Sequence, residues 1–426
     1  MKPFKKIIFC LVVFLLICGL IEIFSLASLY LLGIEKSDKK SISVCQNPEA
    51  DLKIILPPWM TKNVGRFIIH PYLGFIYNPQ DIKSTRFGFL DQTLPIQKKS
   101  NSKIIVGILG GSSAEILAQF GSDTLKEKLG KLDIFKGKDI VVLNLAIGSY
   151  KQPQQLMVLN YILALGGEFD YVINLDGFNE IVLPVLRNIP NKVNPFFPRR
   201  WDLKVVDENI LGQEIIILGD ILRFKKKRVW QSNLVNCGIL RFSATARLII
   251  KRLDRKILLD IRDKRMELFN LKSKTNKYSD SIIAHGPDFT YENNDQLYDQ
   301  LSLFWFRTSK QMSDICLANK IKYFHFLQPC QYVPDSKNMQ EEELAIALDP
   351  EAVHRQMVIE GYPYLKKQGQ RLRKQGVNFY DLTMIFKNYE EPLYIDTFCH
   401  FGVKASGIVA NVVAKKIEEQ LAASSK

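Results

Sequence analysis

Four short stretches hold residue types suited to acyl transfer. In "LGGSSAE" (109–115), Ser112 follows two glycines at the end of an apolar run, "KIIVGIL" (103–109). A serine at a strand-to-helix turn presents its hydroxyl at a sheet edge, so Ser112 is the candidate nucleophile, with Ser113 as the fallback. His400 is the candidate base, taking the serine proton and returning it to the leaving group. Asp396 is placed to hold that imidazole in the required tautomer. The tetrahedral oxyanion needs preorganised donors. The candidates are the backbone N–H of Ser112, that of Gly148 in "AIGSYKQP" (146–153), and the side-chain amide of Asn179 in "LDGFNE" (175–180). A side chain at position 148 would hinder close approach of a substrate. Asp176 and Glu180 flank Asn179, and no role for them follows from sequence.

Each residue also has a plainer reading. "GGSS" is more often a turn than a site, Gly148 a turn residue, Asn179 a helix cap, and His400 a packing side chain. Their joint placement favours chemistry. Each ends its own strand or precedes the final helix, and open parallel sheets gather function at the carboxyl ends of their strands.

The elements that must position them are "KIIVGIL" (103–109), "DIVVLNLAI" (139–147), "FDYVINL" (169–175), "IKYFHFL" (321–327) and "VNFYDLT" (377–383). Near-continuous apolar strands of this kind are expected where both faces of a parallel sheet are covered. Helical patterns lie between them, among them 153–165 and a crossover helix over 294–319. The alternation predicts a doubly wound α/β fold. An insertion, about 181–290, separates the third and fourth strands. Between Arg223 and Arg265 it carries 14 Lys/Arg against three acids, which is most of the chain's net +14. There Ile250, Leu253, Ile257 and Ile261 recur at helical spacing, predicting an amphipathic basic helix. Such a charged face is either simply solvated or a surface for anionic lipid or polymer. On the second reading the contacting residues are Lys225, Lys226, Lys227, Arg228, Lys251, Arg252, Arg255 and Lys256.

The N-terminal stretch "MKPFKK" precedes 28 mostly apolar residues interrupted by Glu22. Roughly 20 such residues span a bilayer, and the flanking lysines place the N-terminus in the cytoplasm. Residues 1–34 are thus expected to be a cytoplasmic stub and transmembrane signal anchor, 35–100 an extracytoplasmic stalk and wrapping segment, and 101–426 the main domain. A cleaved signal is the alternative, since "SLASLY" holds small residues. The expected location is the periplasm or cell surface, which excludes nucleic acid as a partner. The seven cysteines show no metal-ligand spacing and no disulfide framework, so simple packing is their default role.

Together "LGGSSAE", "LNLAIGSYKQP", "DGFNE" and "IDTFCHFGVKASGIVA" resemble the four blocks of the SGNH (GDSL-type) hydrolase superfamily, which contribute Ser, Gly, Asn and His. The likeness covers roughly 103–183 and 320–420. It implies a flavodoxin-like three-layer sandwich whose five-stranded parallel sheet runs in the order 2-1-3-4-5. It also implies a Ser112–His400–Asp396 triad with Ser112, Gly148 and Asn179 as the oxyanion hole. Two positions depart from the pattern. Gly111 stands where the name-giving motif has Asp, and Asp396 and His400 are spaced D-x-x-x-H, one residue longer than usual. A helical turn would still bring that pair to one face. The expected function is a membrane-anchored serine esterase or O-acyltransferase acting on an acylated glycan or lipid, with no metal and no cofactor. The alternative is a catalytically lapsed scaffold that serves in binding or assembly at the cell envelope. A phosphate-loop reading of "GILGGSS" lacks the lysine that should follow the glycines.

Overall fold

The protein is described by a computed structural model over residues 2–31, 67–80, 84–206, 212–236, 243–274 and 282–424. Part of the expected stalk (35–66 and 81–83), together with Cys45 and Cys237, lies outside these residues. The described residues divide into two compact units. One comprises 67–206 and 282–424; the other comprises 2–31, 212–236 and 243–274. The expected insertion is therefore divided, because 181–206 and 282–290 group with the sheet.

In the larger unit, β1 (Phe67–His70) and β2 (Gly74–Tyr77) form an antiparallel hairpin. The apolar runs become β3 (Lys103–Gly110), β4 (Asp139–Asn144), β5 (Tyr171–Asp176), β6 (Lys322–Leu327) and β7 (Asn378–Asp381). These five strands form one all-parallel sheet in which β3 lies between β4 and β5, and β6 and β7 follow. Side chains alternate across the pleat. Ile105, Leu109, Val172 and Phe379 join one hydrophobic cluster, while Ile104, Ile108, Ile173 and Phe326 join another.

The helices include, in chain order, α1 (Lys2–Leu31), α2 (Ser112–Phe120), α3 (Ser122–Gly130), α4 (Gln154–Ala164), α5 (Phe178–Leu183), α6 (Gly212–Asn236), α7 (Ala244–Lys274), α8 (Asn294–Ala318), α9 (Val353–Lys374) and α10 (Val403–Ser424), along with short helices at Trp201–Val206, Ile282–His285 and Glu341–Ala347. Leu159 of α4, Trp305 of α8, Leu365 of α9 and Phe75 of β2 belong to the first cluster. Leu117 of α2, Leu129 of α3 and Val413 of α10 belong to the second. Each such side chain contributes about 1.5–3 kcal/mol of burial. The strand ends are thus held from both faces.

In the smaller unit, α6 and α7 pack antiparallel. Ile217 and Ile221 meet Ile257, Leu258 and Ile261, while Arg228 pairs with Asp254 and Lys264 with Asp220. Arg228 was grouped by sequence with the cations facing an anionic surface; it is instead buried against Asp254, because a guanidinium leaves water only with a carboxylate partner. Within α1, the 25 residues Lys6–Tyr30 are long and apolar enough to cross a membrane.

Candidate active site

The edge of the sheet is built by close approaches that only small residues permit. At Gly110 the backbone has φ +147°, and a Cβ there would stand 2.2 Å from the Leu175 carbonyl oxygen. At Gly111 a Cβ would stand 2.2 Å from Asn179 Nδ2. The Tyr150 carbonyl oxygen would lie 2.9 Å from the same Cβ, so a larger residue at position 111 would have to displace Asn179 and crowd the backbone. Directly after it, Ser112 opens α2, where its N–H has no intrahelical acceptor. Asn179 lies in the first turn of α5 and is not the cap, a position taken by Gly177; its Nδ2 donates to the Tyr150 carbonyl at 2.8 Å. One amide hydrogen is used there, leaving the second beside Gly111.

His400 Nε2 lies 2.6 Å from Ser112 Oγ, and His400 Nδ1 lies 2.6 Å from Asp396 Oδ2. The three side chains are therefore hydrogen-bonded in series. The D-x-x-x-H pair does not sit on a helical turn. It sits on a loop closed by the Tyr394–Phe401 bridge and by Ile395 N–H donating to His400 O at 3.0 Å. Asp396 folds back onto this loop, its Oδ1 accepting from the N–H groups of Phe398 (2.8 Å) and His400 (3.3 Å). Cys399 provides the left-handed residue, φ 62°, that turns the chain back toward His400. Burial raises the Asp396 carboxyl pKa, but the His400 hydrogen bond, the imidazole charge and the two N–H donors outweigh it and hold it below its ordinary value. Asp396 stays ionised and acceptor-only, the state that selects the Nδ1–H tautomer of His400 and leaves Nε2 to receive the serine proton.

Around this core stand residues that sequence reasoning missed. Gln331 Nε2 donates to the Asp396 carbonyl at 2.8 Å, and Cys330 is disulfide-bonded to Cys399 with Cα atoms 5.0 Å apart. Both brace the histidine loop from the segment after β6. The alternative nucleophile, Ser113, is buried and its Oγ accepts from Gln328 at 2.9 Å. Gly148 N–H differs most from expectation, because it donates to Glu115 Oε2 at 2.9 Å. The same oxygen accepts from the Tyr77 hydroxyl at 2.7 Å. The space at Gly148 is also less restricted than expected, since a Cβ there would meet Tyr77 Oη only at 3.5 Å. The next residue, Ser149, accepts from Arg199 Nη1 at 2.8 Å.

Behind Asn179 lies a buried polar cluster. Glu180 accepts from the N–H groups of Gly177 (2.8 Å) and Gln152 (3.1 Å) and from Gln155 Nε2 (3.0 Å). Burial, then the Asp176 charge, pushes its carboxyl up to about 8. Lys151 Nζ donates to the carbonyls of Pro195 (2.5 Å) and Phe197 (2.6 Å), and burial lowers its ammonium pKa to about 7. Asp176, which sequence left without a role, accepts at Oδ1 from Trp305 Nε1 and from His325 Nε2, each at 2.7 Å. Among the described residues no cluster of His, Cys, Asp and Glu has the arrangement of a metal site. No protein-family model matches the chain, and no curated protein matches it.

Proposed function

We propose that the protein is a membrane-anchored, extracytoplasmic serine esterase or O-acyltransferase of the SGNH type, acting on an acylated glycan or lipid. The observation that carries this reading is the unbroken series Ser112 Oγ–His400 Nε2 and His400 Nδ1–Asp396 Oδ2. The sheet order and the hydrophobic clusters on its two faces support a flavodoxin-like three-layer arrangement in the order 2-1-3-4-5. The apolar α1 with its lysine flank supports the anchor and the topology.

In the first half-reaction, Ser112 Oγ bonds to the acyl carbon while its proton passes to His400 Nε2. Asp396 faces the imidazolium so formed. Negative charge collects on the former carbonyl oxygen, within reach of Ser112 N–H and the second hydrogen of Asn179 Nδ2. Collapse breaks the ester C–O bond, and the leaving alkoxide takes the proton from Nε2. Water or a sugar hydroxyl then gives its proton to the same nitrogen and attacks the acyl carbon; collapse breaks the acyl carbon–Ser112 Oγ bond, and Oγ takes that proton back from Nε2. Gly148 N–H joins the oxyanion donors only when Glu115 withdraws from it.

That contact with Glu115 is the one observation that favours the second reading, a catalytically lapsed scaffold engaged in binding or assembly at the cell envelope. Fluorophosphonate labelling of the full chain in detergent distinguishes the two. The catalytic reading expects labelling that Ser112→Ala and His400→Ala abolish. An unmodified chain that stays unlabelled where a known serine esterase reacts supports the lapsed scaffold. Labelling that survives Ser112→Ala moves the nucleophile to Ser113.

A further inference from the structure

Within α1, Glu22 is the one carboxylate of the apolar span Lys6–Tyr30. Its carboxylate accepts from the N–H groups of Ala244 and Thr245 (3.1 Å for the latter) and from the Thr245 hydroxyl. Thr245 Oγ1 also lies 3.0 Å from Ser25 Oγ. Glu22 thus caps the first turn of α7, where unpaired N–H groups and the helix dipole favour an anion. An ionisable group within a membrane span needs such a partner. If α1 crosses a membrane, the partner of Glu22 must lie at membrane depth as well. The start of α7 therefore enters the bilayer.

The rest of the unit agrees with this placement. Ser25 and Leu29, on the same face of α1 as Glu22, are buried, whereas Leu11, Leu15 and Leu20 on the N-terminal side are exposed. Since α1 and α7 are in contact, α7 runs outward alongside the last turns of α1. Tyr30 is eight residues beyond Glu22 and Arg252 seven beyond Thr245, so both stand about 10–12 Å farther out at the helical rise. The Arg228–Asp254 and Asp220–Lys264 pairs set the register of α6, bringing Trp230 to the height of Arg252. Trp230, Val229, Ile249 and Leu253 are exposed apolar side chains, Ile249 below that height and the other three within about one residue's rise of it. Lys251 and Arg252 are exposed within about one residue's rise of it, and Lys226, Lys227, Arg255 and Lys256 just beyond it. An aromatic pair, Tyr30 and Trp230, with cations beside and above it is the residue order of a membrane–water interface.

We propose that α6 and α7 are seated in the outer leaflet beside α1, with Trp230 at the interface and the six exposed cations on anionic lipid headgroups. This rests on the reading of α1 as a membrane span, and the test separates the two. The full chain is reconstituted in vesicles of phosphatidylcholine brominated near the headgroup end of its acyl chains, with and without phosphatidylglycerol. Sedimentation with the vesicles tests the span, and its absence sinks that reading. Bromine quenching of tryptophan emission tests the seating. The expected result is a quenched component that Trp230→Phe removes and that phosphatidylglycerol enlarges. Replacing the six cations by glutamine should abolish the enlargement while sparing the component seen without anionic lipid. A chain that sediments but shows equal quenching with and without Trp230 overturns the proposal. Enlargement that survives the glutamine variant overturns the assignment of the headgroup contacts.

Discussion

The larger unit contains two hydrogen-bonded series of serine, histidine and aspartate, with nearly equal distances. At the sheet edge, Ser112, His400 and Asp396 are joined by two contacts of 2.6 Å. In the interior, Ser309 Oγ lies 2.7 Å from His325 Nδ1, and His325 Nε2 lies 2.7 Å from Asp176 Oδ1. The environments differ. Side-chain exposure is 25% for His400 and 38% for Asp396, but 0% for His325 and 1% for Asp176. Ser309 sits within α8, with Tyr323 Oη 3.3 Å from its hydroxyl, and Asp176 is further bound by Trp305 and by Asn174 Nδ2 at 2.7 Å. Ser112 instead opens a helix, with Asn179 beside it. Residue types and distances alone do not make a nucleophile. On the proposed reading, access for an acyl carbon and donors for its oxygen set the first series apart, while the second is a satisfied polar network that fixes α8 to β5 and β6.

The largest effect expected from breaking this comparison is on turnover. Ser112→Ala should lower ester turnover by about a million-fold, with no change in the urea midpoint beyond that of a surface substitution. Ser309→Ala should leave turnover intact and cost about 1 kcal/mol of stability for the lost hydrogen bond. Equal loss of turnover in both variants would refute the contrast. Asp396→Asn removes the acceptor that fixes the His400 tautomer and should lower turnover by about ten-thousand-fold at unchanged stability. Asp176→Asn turns one acceptor oxygen into a donor facing Trp305, His325 and Asn174. A loss of about 3–5 kcal/mol is expected in urea unfolding. A smaller effect is expected at Glu115. Since Glu115→Gln removes a negative charge from beside Gly148 N–H, kcat should rise if that N–H serves the oxyanion. A fall in kcat would make the carboxylate a positioning group, and its distinguishing readout would be an unchanged KM.

The sheet was legible because fully buried parallel strands read as apolar runs, and both the strands and the crossover helix lie within a few residues of expectation. The positions of Ser112 and Asn179 were legible because each follows such a run, and that of His400 because it precedes the final helix. The manner of the Asp396–His400 contact was not, since an Asx-type fold-back closed by the Tyr394–Phe401 bridge leaves no periodic mark. The need for glycine at 111 comes from Asn179, and the role of Glu115 comes from Tyr77 and Gly148, all remote in the chain. Cys330 and Cys399 are 69 residues apart and join two loops whose proximity only the finished sheet creates. The interior series escaped for the same reason. Asp176, Ser309 and His325 come from three elements, and His325 reads as one more residue of an apolar strand.

The smallest expected effect sharpens the interior side of the comparison, where Glu180 and Lys151 extend the Asp176 network. Glu180 titrates at about 8 in the fold against an ordinary 4.5. The folded state then binds more protons than the unfolded state between these values, so this group makes stability fall as pH rises through that window. Lys151 titrates at about 7 against an ordinary 10.5. Here the unfolded state binds more protons, so stability rises with pH from about 7 to 10.5. The two slopes oppose each other between 7 and 8, which predicts a broad stability minimum there, measurable as the urea midpoint of the full chain in detergent. Glu180→Gln should remove the falling limb below pH 7, and Lys151→Met the rising limb above pH 8. The Asp176 charge is one cause of the raised Glu180 value, so Asp176→Asn should shorten the falling limb from its alkaline end. An identical profile in all four proteins would show that the buried network is not the source of the pH dependence. At the exposed edge Asp396 has the opposite sign: its lowered carboxyl contributes stability above the ordinary value of 3.8 that is lost as pH falls through the folded value.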